Sequence, residues 1–208
     1  YQVDDLTGLE FAENLNYLDI DKDFYNNIEN FDALKELKSL ETLYLNNFDI
    51  KDLSFLSEIT SLKDLSIGNM AGEELEISDI SPIKNLVNLE RLTISDYGVE
   101  DISDLANLTK LNNLILDSNK INNIDSLSNL KELTYLDLNY NKNIKNIEAL
   151  KELEKLEKLN LCDNKIENIS SLSKLTKLKE LNFKNNNISD IEVLSNLTSL
   201  ETLYLNAN

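Results

Sequence analysis

Apolar residues recur along this chain with one fixed rhythm. Counting from Val99, they fall at 99, 102, 105, 108, 111, 114 and 116; Asn119 follows, and Ile121 begins the pattern again. The same offsets of 0, 3, 6, 9, 12, 15 and 17 hold from Val3, Ile28, Ile50, Ile77, Val99, Ile121, Ile144, Ile166 and Ile188, at intervals of 22 to 27 residues. Nine repeats of seven sites make 63 positions, and every one is Leu, Ile, Val, Phe or Ala. Chance does not partition a sequence this way, and a fixed period of this length is the mark of a repeat architecture.

The spacing dictates local structure. Offsets 15 and 17 lie two apart, the period of a strand, as in Leu114-Ile115-Leu116. Offsets 0 to 12 lie three apart. An α-helix advances about 100° per residue, so a three-residue step drifts by about 60° and leaves the buried face. Extended and 3₁₀ segments hold that spacing instead. An α-helix is expected only over residues 151–156. A single repeat cannot bury its own apolar side, so neighbours must stack into a solenoid with a shared core. The whole chain, 1–208, reads as one such domain of about nine repeats.

The phrase Leu-x-x-Leu-x-Leu-x-x-Asn-x-Ile resembles a leucine-rich repeat. The 22-residue form, with Ile77-Ser78-Asp79-Ile80-Ser81-Pro82-Ile83, resembles the internalin type found on Gram-positive bacterial surfaces. The run Asp5-Leu6-Thr7-Gly8-Leu9-Glu10-Phe11-Ala12 resembles the opening of such arrays. The resemblance implies an α/β fold: a right-handed solenoid with a concave parallel β-sheet and a convex side of 3₁₀ and extended segments. It also implies a non-enzymatic, protein-binding module on a bacterial cell surface or secreted. In such families the offset-20 Asn is buried in the turn after the strand; Asn119, Asn141, Asn164, Asn186 and Asn208 fit. The earlier repeats carry Asp23, Phe48, Met70 and Tyr97 there. Either their turn is built differently or that edge is reshaped into a contact surface. Three repeats, those starting at Val3, Ile50 and Ile121, are long; the second has its extra residues after Met70 with Gly72, Glu73 and Glu74, read as an acidic loop, and the third has one residue near Asn143. The native protein is expected to continue beyond both ends of this segment, where a signal or anchor would lie.

Charge sharpens the picture. The 208 residues hold 38 acids and 20 bases, a net charge of −18. Residues 1–104 carry 24 acids and 7 bases, so nearly all the excess sits in the first half. An acidic chain is unsuited to nucleic acid or anionic membranes, which need a basic face. With no His and a single Cys, there is no His-based nucleophile system, no His-ligated metal and no internal disulfide. Asp19, Asp21 and Asp23 alternate like the start of a calcium loop, but Phe24 stands where the turn wants Gly and Asn30 where a closing Glu belongs. No metal or cofactor is expected.

Candidate contacts lie on the strands. Offsets 14, 16 and 18 should point away from the core. They place Tyr17, Arg91 and Tyr135 at 14, and Tyr44, Thr93, Ile115, Asp137, Asn160 and Tyr204 at 16, with Asp117 at 18. Tyr offers large contact area at low entropic cost. Arg91, Thr93, Ile115, Asp117, Tyr135 and Asp137 are the expected centre of a protein-partner site, with the acidic half steering basic partners. Cys162, also at offset 18, is expected to be exposed and inert. Other readings of the chain are an accessory recognition domain of a secreted enzyme, an intracellular scaffold resembling phosphatase-1 regulators, or a rigid spacer.

Overall fold

The computed structural model describes residues 3, 5–22, 28, 30–69 and 75–208. Each repeat contributes one strand: β1 (Tyr17–Asp21), β2 (Thr42–Asn46), β3 (Asp64–Gly68), β4 (Arg91–Ser95), β5 (Asn113–Ile115), β6 (Tyr135–Asp137), β7 (Lys158–Asn160), β8 (Glu180–Asn182) and β9 (Thr202–Tyr204). They pair in parallel and in chain order, forming one open sheet. The register carries offset 14 onto offset 14 from end to end: Tyr17 pairs with Thr42, Asp64 with Arg91, Arg91 with Asn113, and Asn113 with Tyr135. Insertions therefore do not slip the sheet.

The chain returns from each strand through a 3₁₀ turn, such as Ser103–Asn107 or Asp125–Asn129. No α-helix occurs among the described residues, which corrects the expectation over 151–156. There the 3₁₀ turn Glu148–Glu152 is followed by turn and extended backbone. Ile147, Leu150, Leu153 and Leu156 are all buried at three-residue spacing, which an α-helix would rotate apart. All 49 apolar sites of the seven inner repeats are buried, none more than 8% exposed, including Leu111 and Leu136. In the two end repeats Val3, Ile191 and Leu203 are partly bare, because each end coil has a neighbour on one side only. Each fully buried Leu or Ile contributes about 1.5–3 kcal/mol, so the stacked stripe dominates stability.

Two polar columns shape each coil. The first was not anticipated. Two residues after every repeat start stands Asp or Asn: Asp5, Asn30, Asp52, Asp79, Asp101, Asn123, Asn146, Asn168 and Asp190. Each accepts the N–H two residues on, at 2.7–2.9 Å, and so forms an Asx turn that starts the 3₁₀ segment. In Asp79 and Asp101 the Ser81 and Ser103 N–H groups hold the carboxyls below the usual range, helped by the same serines' hydroxyls.

The second column is the expected Asn. Asn141 Nδ2 donates to the carbonyls of Leu116, Leu138 and Asn139, while its Oδ1 accepts the Ile121 N–H at 3.0 Å. Asn119, Asn186 and Asn208 bridge neighbouring coils in the same way, and Asn119 Oδ1 accepts from both Tyr97 and Val99. The residue before each Asn is left-handed, with φ of 53–62° at Ser118, Tyr140, Asp163, Asn185 and Ala207. Asn164 makes its three donations, but its Oδ1 has no partner among the described residues. The equivalent donor would be Ile144 N–H. The insertion explains the loss: two residues, not one, separate Asn141 from Ile144, and Lys142 among them is left-handed at φ 61°.

The early repeats solve the turn with aromatic rings. Phe48 and Tyr97 occupy the Asn column and are at most 1% exposed, so these two positions belong to the interior and are no contact surface. The Tyr97 hydroxyl donates to the Phe48 carbonyl across 49 residues. Phe48 packs edge-on against Phe31 at 5.4 Å, and Phe31 stacks on Phe55. Asp23, Met70 and the loop at Gly72, Glu73 and Glu74 lie outside the described residues.

Two measurements test these columns. Asn141→Ala strands buried carbonyls and the Ile121 N–H, and is expected to destabilise by about 3 kcal/mol in urea melts, with Asn164→Ala about 1 kcal/mol milder because one of its bonds is already missing. Equal losses would contradict the broken-ladder account. For the Asx column, a depressed carboxyl pKa stabilises above the unfolded value of 3.8 and the gain is lost as pH falls through the folded value. Asp79→Asn with Asp101→Asn keeps both acceptors at every pH, so the double variant should match the parent at pH 7 and lose less stability between pH 4 and pH 2.5, in the approximate window set by that depression.

Candidate functional site

The outward face of the sheet is two continuous columns of side chains, and cross-strand hydrogen bonds fix most of the polar ones. On the N-terminal strands, the Tyr17 and Tyr44 rings meet edge-on at 5.9 Å. The Tyr17 hydroxyl donates to Asp19, and Tyr44 donates to Asp64 Oδ2 at 2.8 Å. Arg91 Nε donates to the same oxygen at 2.6 Å. Asp64 lies under these two partners, only 6% exposed, although its offset points it away from the core. Tyr44, by donating to Asp64 and through burial, has its phenol pushed up to about 12.

The centre of the face is equally ordered. Asp137 accepts from the Tyr135 hydroxyl, from both nitrogens of Asn139, and from Asn160 Nδ2. Those partners leave it 8% exposed. It therefore serves to hold its neighbours, and its carboxylate presents little surface to a partner. Burial, together with the Asp137 charge, pushes the Tyr135 phenol up to about 12. Asp117 accepts from the Ser95 and Ser118 hydroxyls. On β7 and β8, Lys158 and Glu180 pair at 3.1 Å.

The structure thus brings together the residues expected at the centre. Arg91, Thr93, Ile115, Asp117, Tyr135 and Asp137 occupy the adjacent strands β4, β5 and β6 or the turn after β5, in register. Thr93, Ile115 and Tyr135 are half-buried and form the low, apolar part of that surface. Asn160 joins it through Asp137. Tyr17 and Tyr44 form a second aromatic pair at the β1–β2 end. Tyr204, 47% exposed on β9, stands apart from both.

Cys162 is a correction: it is 7% exposed, and its thiol donates to Asp163 Oδ2. The other offset-18 residues after the three-residue strands, Asp117, Asn139, Lys184 and Asn206, stay partly or fully exposed, so the burial is particular to the small thiol and its Asp163 bond. Burial and the Asp163 bond push the thiol up to about 12, which makes it a poor nucleophile. Asp19 and Asp21 are strand residues engaged with Tyr17 and Asn46, while Asp23 and Phe24 lie outside the described residues. Among the described residues no group of three or more metal-ligating side chains gathers, and no helix is long and apolar enough to cross a membrane.

The Tyr44–Asp64 bond can be checked by ultraviolet titration. A phenol raised above its ordinary value of 10 stabilises the fold below pH 10, and that contribution is lost as pH rises toward 12. Asp64→Asn removes the charge that Tyr44 faces, so one tyrosine should ionise markedly earlier. Unchanged tyrosine titration would refute the pairing.

Comparisons with known proteins agree with this geometry. A family model described as leucine rich repeat matches residues 109–166, and one described as leucine rich repeats (2 copies) matches 154–196 and 176–208. No curated protein matches the sequence. Among solved structures, an internalin (inlF) from Listeria monocytogenes is similar with a TM-score of 0.86 and 28% identity, over 98% of this chain and 58% of its own. Internalin C2 (inlC2) from the same organism is 32% identical with a TM-score of 0.76, over 82% of this chain and 73% of its own. The functional domain of InlJ, also from L. monocytogenes, shares 25% identity with a TM-score of 0.78, over 96% of this chain and 41% of its own. The chain thus spans less than two thirds of the first of these relatives. Folds of this type act as protein-interaction modules. With the repeat matches, the nine-strand sheet and the identity to internalin C2 all in agreement, the chain belongs to the internalin-like leucine-rich-repeat proteins.

Proposed function

We propose that this chain is a non-enzymatic binding module of a bacterial surface or secreted protein, and that it takes a protein partner on the outward, concave face of its sheet over β4, β5 and β6. The observation that carries this reading is the state of that face. Thr93, Ile115 and Tyr135 offer a contiguous half-buried patch. Around it, Asp64, Asp117 and Asp137 are held by Tyr44, Arg91, Ser95, Tyr135 and Asn160. Side chains already fixed lose little entropy on binding, which is how a modest patch becomes a specific one. The acidic first half adds a long-range field that favours partners with a basic surface.

The reading is tested by site-specific photo-crosslinking. A benzophenone side chain replaces Thr93 on the sheet face, or Val87, which is 48% exposed outside the sheet. Partner adducts are expected from position 93 and not from 87. Ile115→Ala with Tyr135→Ala should abolish them, while the melting temperature falls by only about 2–4 °C for each kcal/mol lost, roughly 1 kcal/mol of it with the Tyr135–Asp137 bond. Adducts of equal strength in the double variant would count against the sheet face.

A further inference from the structure

Arg91 is the one arginine among the chain's 20 basic residues. Its position is central, on β4 beside Asn113 and two strands from Tyr135. The nine other ion pairs found among the described residues all use lysine. Pairing with a carboxylate therefore does not by itself call for a guanidinium in this fold.

What a guanidinium adds is direction. Asp64 takes the inner nitrogen, Nε, at 2.6 Å. Asp64 is itself buried, accepts Tyr44 at the same oxygen, and so cannot swing away. Neither Nη group makes a hydrogen bond among the described residues, and the side chain remains 51% exposed. The result is a planar fork, braced from behind, with its N–H groups directed outward. Lysine, a point charge on a flexible stem, would be consumed by Asp64. Elsewhere on this face the carboxylates Asp19, Asp21, Asp64, Asp117 and Asp137 accept hydrogen bonds, so the fork is a donor locus in an acceptor-rich surface.

The geometry points to Arg91 as the anchor for a carboxylate of the partner, received end-on by the two Nη groups of the guanidinium, with the adjoining apolar part of that residue resting on Ile115 and Tyr135. This rests on the sheet-face reading above and specifies its partner: a segment rich in Lys or Arg, as the net charge of −18 demands, bearing one Asp or Glu at the position that meets Arg91. A uniformly basic segment leaves the fork unused, and a uniformly acidic one is repelled.

The test pans a displayed random dodecapeptide library against the purified chain. Binders should share one acid at a fixed place within a basic sequence. Changing that acid to its amide, or Arg91→Lys in the chain, is expected to weaken binding about tenfold, the scale of a charge-assisted bidentate bond. Making both changes should cost little more than either, because they break one contact. Arg91→Lys keeps the charge and the Asp64 pair, so a purely structural arginine predicts no loss. Binders that depend on Ile115 and Tyr135 but tolerate Arg91→Lys would overturn the inference and leave the sheet-face reading standing. Binders indifferent to all three residues, or a library that returns none, would count against both.

Discussion

Every coil of this protein has to leave the sheet and turn back with its peptide groups buried against the next coil. Those groups cannot reach water, and each one left unpaired costs about 1–3 kcal/mol. The Asn at offset 20 meets that constraint, because one amide carries both donor and acceptor and reaches backbone on two coils at once. Asn141 joins the Leu138 and Asn139 carbonyls and the Ile121 N–H, all of its own repeat, to the Leu116 carbonyl of the repeat before. From Asn119 onward this bridge recurs at the same place and reinforces the strand register that sets the columns on the outward face. Where the chain abandons Asn, it must find another solution, and it does so with volume. Phe48 and Tyr97 fill the turn, and the Tyr97 hydroxyl satisfies one carbonyl directly. The turns at Phe48 and Tyr97 are thus held by aromatic packing and those from Asn119 onward by amide bridging, beneath one unbroken sheet.

The apolar scaffold was legible in the letters because each of its sites obeys a local rule: a side chain at offset 0, 3, 6, 9, 12, 15 or 17 is buried whatever its neighbours are. The outward face obeys no such rule. Asp64 and Asp137 alternate outward and yet are covered, since residues from adjoining repeats close over them. That coverage depends on which side chain stands 20, 23 or 27 residues away, and it emerges only when the columns are read across the strands. Cys162 is likewise covered where its counterparts Asp117, Asn139 and Lys184 are not, its thiol bonded to Asp163. The Asx column at offset 2 was readable in full, nine positions of nine, but a polar column carries no weight in a search keyed to apolar periodicity.

That column also bears on the uneven charge. Asp and Asn make the same turn bond, at the same distances, so geometry does not choose between them. Yet four of the five in the first half are Asp (Asp5, Asp52, Asp79 and Asp101, with Asn30 the exception), whereas three of the four in the second are Asn (Asn123, Asn146 and Asn168, with Asp190 the exception). The fold is served equally by either, and the carboxylates add charge that the turns do not require. In a first half with 24 acids against 7 bases, this repulsion is a small, distributed cost, and its return is a field that reaches about one Debye length, near 10 Å at moderate salt.

A field of that range selects by sign and not by shape. Specificity has to come from the short-range surface, and there the structure has removed most of the freedom. Tyr44, Asp64 and Arg91 tie three strands together, and Asp137 ties Tyr135, Asn139 and Asn160. A carboxylate that already accepts two or three internal bonds is a weak acceptor for a newcomer, so most of the acids that attract a partner are not the groups that grip it. On the proposed reading, the grip falls to what the networks leave uncommitted: the methyls of Ile115 and Thr93, the ring of Tyr135 and the outer nitrogens of Arg91. Long-range attraction and short-range recognition are in this proposal assigned to different side chains on the same sheet, and its partner would have to satisfy both, basic enough to approach and shaped, with one acceptor in place, to stay.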